Sequence, residues 1–174
     1  MTYFIHPIVL HFPIALLTFY GLLELASFGR LKRLAAWTSM KAALVIAGTL
    51  AGYVTLVTGE MAEQIFRNSD NAAIIAKHSL FAHLSIAVFS VLAAGYFVAW
   101  VKQCGWRWLQ LPVISSIWKL GISIQILITE TFLAKVLALA GIIGLMITGA
   151  LGGSMAFGPS ADPLTNWIYH WFFQ

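Results

Sequence analysis

Four runs of apolar residues, near positions 7–28, 36–59, 78–101 and 132–153, are each long enough to cross a bilayer, which takes about 20 helical residues. Inside lipid every backbone N–H and C=O must be satisfied within the protein, so runs of this kind fold as helices. The sequence therefore predicts an all-α fold: an integral membrane four-helix bundle with an additional interfacial or extended helical segment, in one transmembrane domain over 1–174. The charge content supports this, because 9% of the 174 residues are charged against roughly 25% in a soluble domain.

What lies between the runs sets an orientation. Arg30, Lys32, Arg33 and Lys41 gather at the first connection, and Lys102, Arg107, Lys119 and Lys135 surround the third. The opposite side holds only Arg67 and Lys77 among basic residues, with Glu60, Glu63, Asp70 and Asp162. The positive-inside rule puts the richer side in the cytoplasm and both termini outside. This sorting by membrane side also argues against a nucleic-acid surface, despite a pI near 9.4. The first run follows Met1-Thr2-Tyr3-Phe4-Ile5, which has no basic residue, and is too long for a signal core; it is expected to remain as a membrane helix.

Two segments fall outside the four runs. Over 111–130, Ser115, Ser116, Lys119, Ser123 and Glu130 share one side of a helical wheel, while Ile117, Leu120, Ile124 and Leu127 occupy the rest. That suits an interfacial helix or an extension of the fourth span better than a fifth crossing. The tail, 160–174, is rich in aromatic residues around Trp167 and Trp171 and suits a headgroup layer, as do Trp106 and Trp108 on the other side.

Chemistry is scarce in such a chain, so the histidines stand out. His6 and His11, then His78 and His83, repeat one five-residue spacing at the start of the first and third runs. With four spans these two runs are parallel, so His6 and His78 share a depth. His11 and His83 share another, about 7.5 Å further in at 1.5 Å per residue. Five residues turn an undistorted helix through a net angle of about 140°, so members of one pair point in different directions. Pro7 suits the first helical position, leaving His6 just outside the helix. The rise is too short for two stacked haems. One haem b with a ligand from each helix is the expectation, with His11 and His83 the first-choice axial pair and His6 and His78 the alternative. Polar groups in the membrane are costly and usually functional, although a lone histidine near a helix end is more often only an interfacial residue.

Other signals are weaker. Gly48 with Gly52, and Gly149 with Gly153, have the spacing that lets membrane helices approach closely. Glu24 and Glu130 read as snorkelling surface carboxylates, with a proton path or pairing to Lys41 or Lys135 as rival readings. Cys104 is the single cysteine, which excludes an internal disulfide or thiolate-rich metal site. No C-x-x-C-H run provides for covalent haem, and no Ser or Cys nucleophile sits beside a His with an orienting carboxylate.

The stretch His6-Pro7-Ile8-Val9-Leu10-His11-Phe12-Pro13-Ile14-Ala15-Leu16-Leu17, with His78 opening the third run in Lys77-His78-Ser79-Leu80, resembles the domain of unknown function 2231 family. These are small four-span bacterial membrane proteins with a His-Pro-x-x-x-His-Phe-Pro opening motif. The resemblance covers roughly 1–100, and the 111–130 segment and aromatic tail depart from it. It implies a bacterial inner-membrane setting, a layout similar to cytochrome b, and iron-based redox partners. The combined expectation is an electron-transfer protein rather than a stand-alone enzyme, exchanging electrons with a quinone or redox protein near the outer face. A copper- or zinc-binding membrane protein using the same four histidines is one alternative. A non-catalytic subunit of a larger membrane complex is another.

Overall fold

Pro13 has no N–H to offer the Val9 carbonyl, and a proline ring clashes with the carbonyl four residues before it. The first span is therefore jointed at Leu10, between α1 (His6–Val9) and α2 (His11–Leu25). The computed structural model describes residues 5–29, 35–66, 71–105 and 112–174. Five more helices follow: α3 (Ala35–Phe66), α4 (Ala72–Cys104), α5 (Pro112–Thr129), α6 (Leu133–Phe157) and α7 (Pro163–Phe173). Among the described residues, four segments are long and apolar enough to cross a membrane: His6–Leu25, Ala36–Gln64, Ala72–Cys104 and Leu133–Phe157. Among the described residues no strand occurs. Arg30, Lys32, Arg33, Arg67, Asp70, Trp106, Arg107 and Trp108 lie outside the described residues.

Small residues set the packing. A Cβ on Gly48 of α3 would stand 2.7 Å from Leu17 Cδ2 of α2, and one on Gly52 would collide with Ile86 of α4. On α6, Gly141 receives the Phe89 ring and Gly144 the Ser85 side chain, so the small-residue contacts to α4 fall here. The expected Gly149 faces open space instead. These contacts run in opposite senses along neighbouring helices, giving an up-down-up-down bundle with α2 and α4 parallel on a diagonal. Their side chains meet in the centre, where Tyr20 lies edge-on to Phe89 and Tyr96 at centroid distances of 6.2 and 5.7 Å. Such ring pairs contribute about 0.5–1.5 kcal/mol each. Leu17, Val45 and Leu92 complete a core that is fully buried.

Because α6 runs antiparallel to α4, α5 does not cross the bundle between them. It turns back at the end away from the histidines, where Gly95 of α4 admits Ile128 and Thr129. At the other end α7 closes over the bundle. Ile168 is buried with Ile74 and Leu151, Phe172 meets the Phe81 ring at 5.3 Å, and Trp167 and Trp171 remain exposed. Asp162 caps α7, its Oδ1 accepting from the Leu164 and Thr165 amides at 2.9 and 3.0 Å. Pro163 follows in the first turn, where no N–H is needed.

The largest departure from expectation is Glu24. It is 2% exposed rather than a surface carboxylate. Lys41 Nζ of α3 donates to its Oε2 at 2.9 Å, Tyr20 donates at 3.4 Å, and the Tyr96 hydroxyl of α4 donates to the same oxygen. Lys41 also donates to Ser27 Oγ at 3.3 Å, as does the Trp37 indole at 2.8 Å. Ser27 passes its own proton to the Leu23 carbonyl at 2.8 Å. A buried carboxylate is tolerable only when paired and hydrogen-bonded, and here three helices supply the donors.

Removing one member of this pair leaves an uncompensated buried charge, so Glu24→Leu or Lys41→Met alone is expected to destabilise the folded protein by about 3–5 kcal/mol. The double variant should recover most of that loss. Thermal unfolding in detergent checks this, and a double variant as weak as the two single losses combined would refute the assignment. At α7, hydrogen bonds from the Thr165 hydroxyl and amide hold the Asp162 carboxyl below its usual range. The capping contribution is thus present above the unfolded carboxyl pKa and lost as pH falls through the lower folded value. Tryptophan fluorescence should report release of α7 only in acid, and this pH dependence should disappear in Asp162→Asn, which keeps a capping side chain but has no carboxyl to titrate.

Candidate functional site

The histidine end of the bundle is built from the start of α1 and α4 and the end of α3 and α6. His6 is itself the first residue of α1, with Ile5 as its cap. The Ile5 carbonyl already accepts from Ile8 and Val9 at 3.0 and 3.1 Å, so the helix begins one residue earlier than the Pro7 rule suggests. The His6 ring is half-buried against Gly59 of α3, where a Cβ would stand 3.0 Å from Cε1. The His78 ring is half-buried against Gly152 of α6, where the corresponding distance is 3.3 Å. In both cases a glycine on the neighbouring antiparallel helix provides the space for an imidazole.

Both rings are anchored by the same atom. His78 Nδ1 lies 2.9 Å from the Thr148 carbonyl. A carbonyl only accepts, so Nδ1 carries the proton. His6 Nδ1 lies 3.1 Å from Thr58 Oγ1. That hydroxyl spends its proton on the Thr55 carbonyl at 3.0 Å, so it too accepts from Nδ1–H. In a neutral imidazole protonated at Nδ1 this leaves Nε2 with a lone pair; the Thr55 carbonyl is a further acceptor for the His6 ring. Histidine ligands to metals characteristically have one ring N–H fixed on a carbonyl or similar acceptor. His78 also lies within electrostatic reach of His6 and of Glu63, which is half-buried on α3.

The other histidines are placed differently. His11 is exposed at the start of α2. His83 is exposed on α4, its Nδ1 donating to the Ser79 carbonyl at 2.8 Å and its Nε2 facing Glu60 Oε1 at 3.3 Å. Both ring nitrogens of His83 therefore have partners within the protein. His170 of α7 is exposed at the same end and donates through Nδ1 to the Asn166 carbonyl at 2.7 Å. The structure thus half-buries His6 and His78 at one end of the bundle, within electrostatic reach of each other, and leaves His11 and His83 exposed. No group of three or more His, Cys, Asp or Glu is gathered as a metal cage among the described residues.

Thr58 and Thr148 do not stand out in the sequence. Their only signal is position: Thr58 adjoins Gly59, and Thr148 precedes Gly152 by one helical turn. No protein-family model, curated protein or solved structure matches the chain. Side-chain 15N spectra are expected to show His6 and His78 as neutral Nδ1–H tautomers. Thr58→Val should disturb His6 and leave His78 unchanged; Nε2-protonated rings in the parent protein would contradict the geometry.

Proposed function

We propose that this chain is a bacterial inner-membrane, b-type cytochrome-like electron carrier that holds one haem b between His6 and His78. The observation that carries the reading is the matched pair of imidazoles on parallel diagonal helices, each pinned at Nδ1, backed by glycine and presenting an Nε2 lone pair. The donor set suits haem because the porphyrin supplies four nitrogens and the protein needs to add only two axial ligands. Copper or zinc held by protein alone takes three or four donors, and the matched pair supplies two.

A bound haem supplies a one-electron iron couple. The chain's part is to fix the ligand tautomers through Thr58 and Thr148 and to exclude water with α7 and the bundle core. Glu63, within electrostatic reach of His78, would favour the more positive, oxidised state of an iron held there. The orientation we propose puts this end and both termini in the periplasm. The basic end, with Lys41, Lys102, Lys119 and Lys135, then faces the cytoplasm. Electrons would pass between a membrane quinone or redox protein and an acceptor on the outer side.

The deciding experiment is a reduced-minus-oxidised absorption spectrum of detergent-purified protein, with metal analysis of the same sample. A b-type α band is expected, abolished in His6→Ala and His78→Ala and retained in His11→Ala and His83→Ala. Loss in the second pair alone would reassign the ligands. A flat spectrum with stoichiometric copper or zinc would replace haem by metal handling, and a flat spectrum without metal would leave an assembly subunit.

A further inference from the structure

On the outer flank of α6, a crevice of about 400 Å³ lies between that helix and the start of α7. Met146, Gly149, Gly153 and Phe157 of α6 form one wall, and Asp162 and Leu164 stand on the other. Met146 and Phe157 are 47% and 83% exposed, so the crevice opens to the surroundings of the bundle. Its depth comes from Gly149. Gly141, Gly144 and Gly152 of the same helix receive Phe89, Ser85 and His78, whereas a Cβ on Gly149 would meet nothing within 4 Å.

The dimensions fit one leaflet. Met146 stands near the middle of the Leu133–Phe157 span, and the helix rises about 16 Å from there to Phe157. Half of a hydrocarbon core of about 30 Å is nearly the same length. The crevice therefore runs from the midplane to the headgroup layer at the histidine end. Spread over about 16 Å, its volume corresponds to a channel about 24 Å² in section. A helix about 10 Å across needs about 80 Å², so a second helix does not fit inside, whereas a single acyl chain does.

The headgroup end carries a carboxylate with unused capacity. Asp162 Oδ1 accepts from the Leu164 and Thr165 amides, and Oδ2 accepts from the Thr165 hydroxyl. A carboxylate offers about four acceptor positions, so one on Oδ2 remains together with the negative charge. Asp162 is exposed, and no basic residue lines the crevice.

We propose that this crevice binds a phospholipid with a primary ammonium headgroup, of the phosphatidylethanolamine class. One acyl chain lies along Gly149 and Gly153, and the ammonium donates to Asp162. Charge selects the headgroup. Phosphatidylglycerol brings a net negative charge to a carboxylate that no cation in the crevice offsets. A choline headgroup is cationic but has no N–H to donate, whereas hydrogen bonds between two ionised groups are about twice as strong as neutral ones. The bound lipid packs against Leu164 and braces α7, the helix that closes over the histidine end.

The test is native mass spectrometry of the full chain in detergent, titrated with dioleoyl phosphatidylethanolamine, phosphatidylglycerol or phosphatidylcholine. One phosphatidylethanolamine per chain is expected, bound about fivefold more tightly than phosphatidylcholine, in line with one hydrogen bond. Asp162→Asn keeps the cap and removes the charge, so it should erase this preference while lipid still binds. Gly149→Leu has room in the fold and fills the crevice. It should abolish the adduct and leave the unfolding temperature of the lipid-free protein unchanged. Equal retention of all three lipids by the parent protein, or phosphatidylethanolamine binding indifferent to Gly149→Leu, would overturn the proposal. A dimer that Gly149→Leu dissociates would overturn it too, by giving this face to a second copy of the chain.

Discussion

One carboxylate oxygen ties three helices together. Glu24 Oε2 accepts from Lys41 of α3, from Tyr96 of α4 and from Tyr20 one turn back on its own helix. Apolar side chains in lipid have little reason to prefer each other over acyl chains, so membrane bundles rely on close packing and on polar contacts between helices. A charge at this depth is tolerated only where its partners are, and that requirement selects one register among the many that the apolar faces permit. Once α2, α3 and α4 are so aligned, the glycines fall opposite Leu17, Ile86 and Phe89, and the far ends of α1 and α4 arrive together.

The histidine end is the opposite case. Its polar groups are individually satisfied but retain unused capacity. Each half-buried ring gives its Nδ1 proton to a threonine acceptor and keeps a lone pair on Nε2, whereas His83 engages both nitrogens between Ser79 and Glu60. The ionic end is closed chemically and the imidazole end is open. Between them lie Leu17, Val45, Phe89 and Leu92, which are fully buried. This apolar centre separates the two ends.

The periodic and the local parts of the sequence were informative. Four apolar runs, the glycine at Gly48 and Gly52, and the repeated histidine spacing all announce themselves because lipid forbids alternatives. Glu24 was misjudged because a carboxylate near a helix end reads the same whether it faces water or a neighbour. Tyr20, Glu24 and Ser27 do share one helix face at spacings of four and three, and that pattern was a usable signal of a buried polar stripe. Depth alone made His11 and His83 seem the stronger ligands. Depth says nothing about azimuth, and the joint at Leu10 and the five-residue spacing turn those rings outward.

By itself the sequence determined that this chain forms membrane-crossing helices, how many there are and which ends carry the histidines, since hydrophobic length and backbone hydrogen bonding are properties of each segment alone. Only the tertiary structure decided which imidazoles are half-buried, which nitrogen of each is occupied, and that Glu24 and Lys41 meet inside. Those outcomes depend on helix rotation and register, and these are set by contacts between residues far apart in the chain.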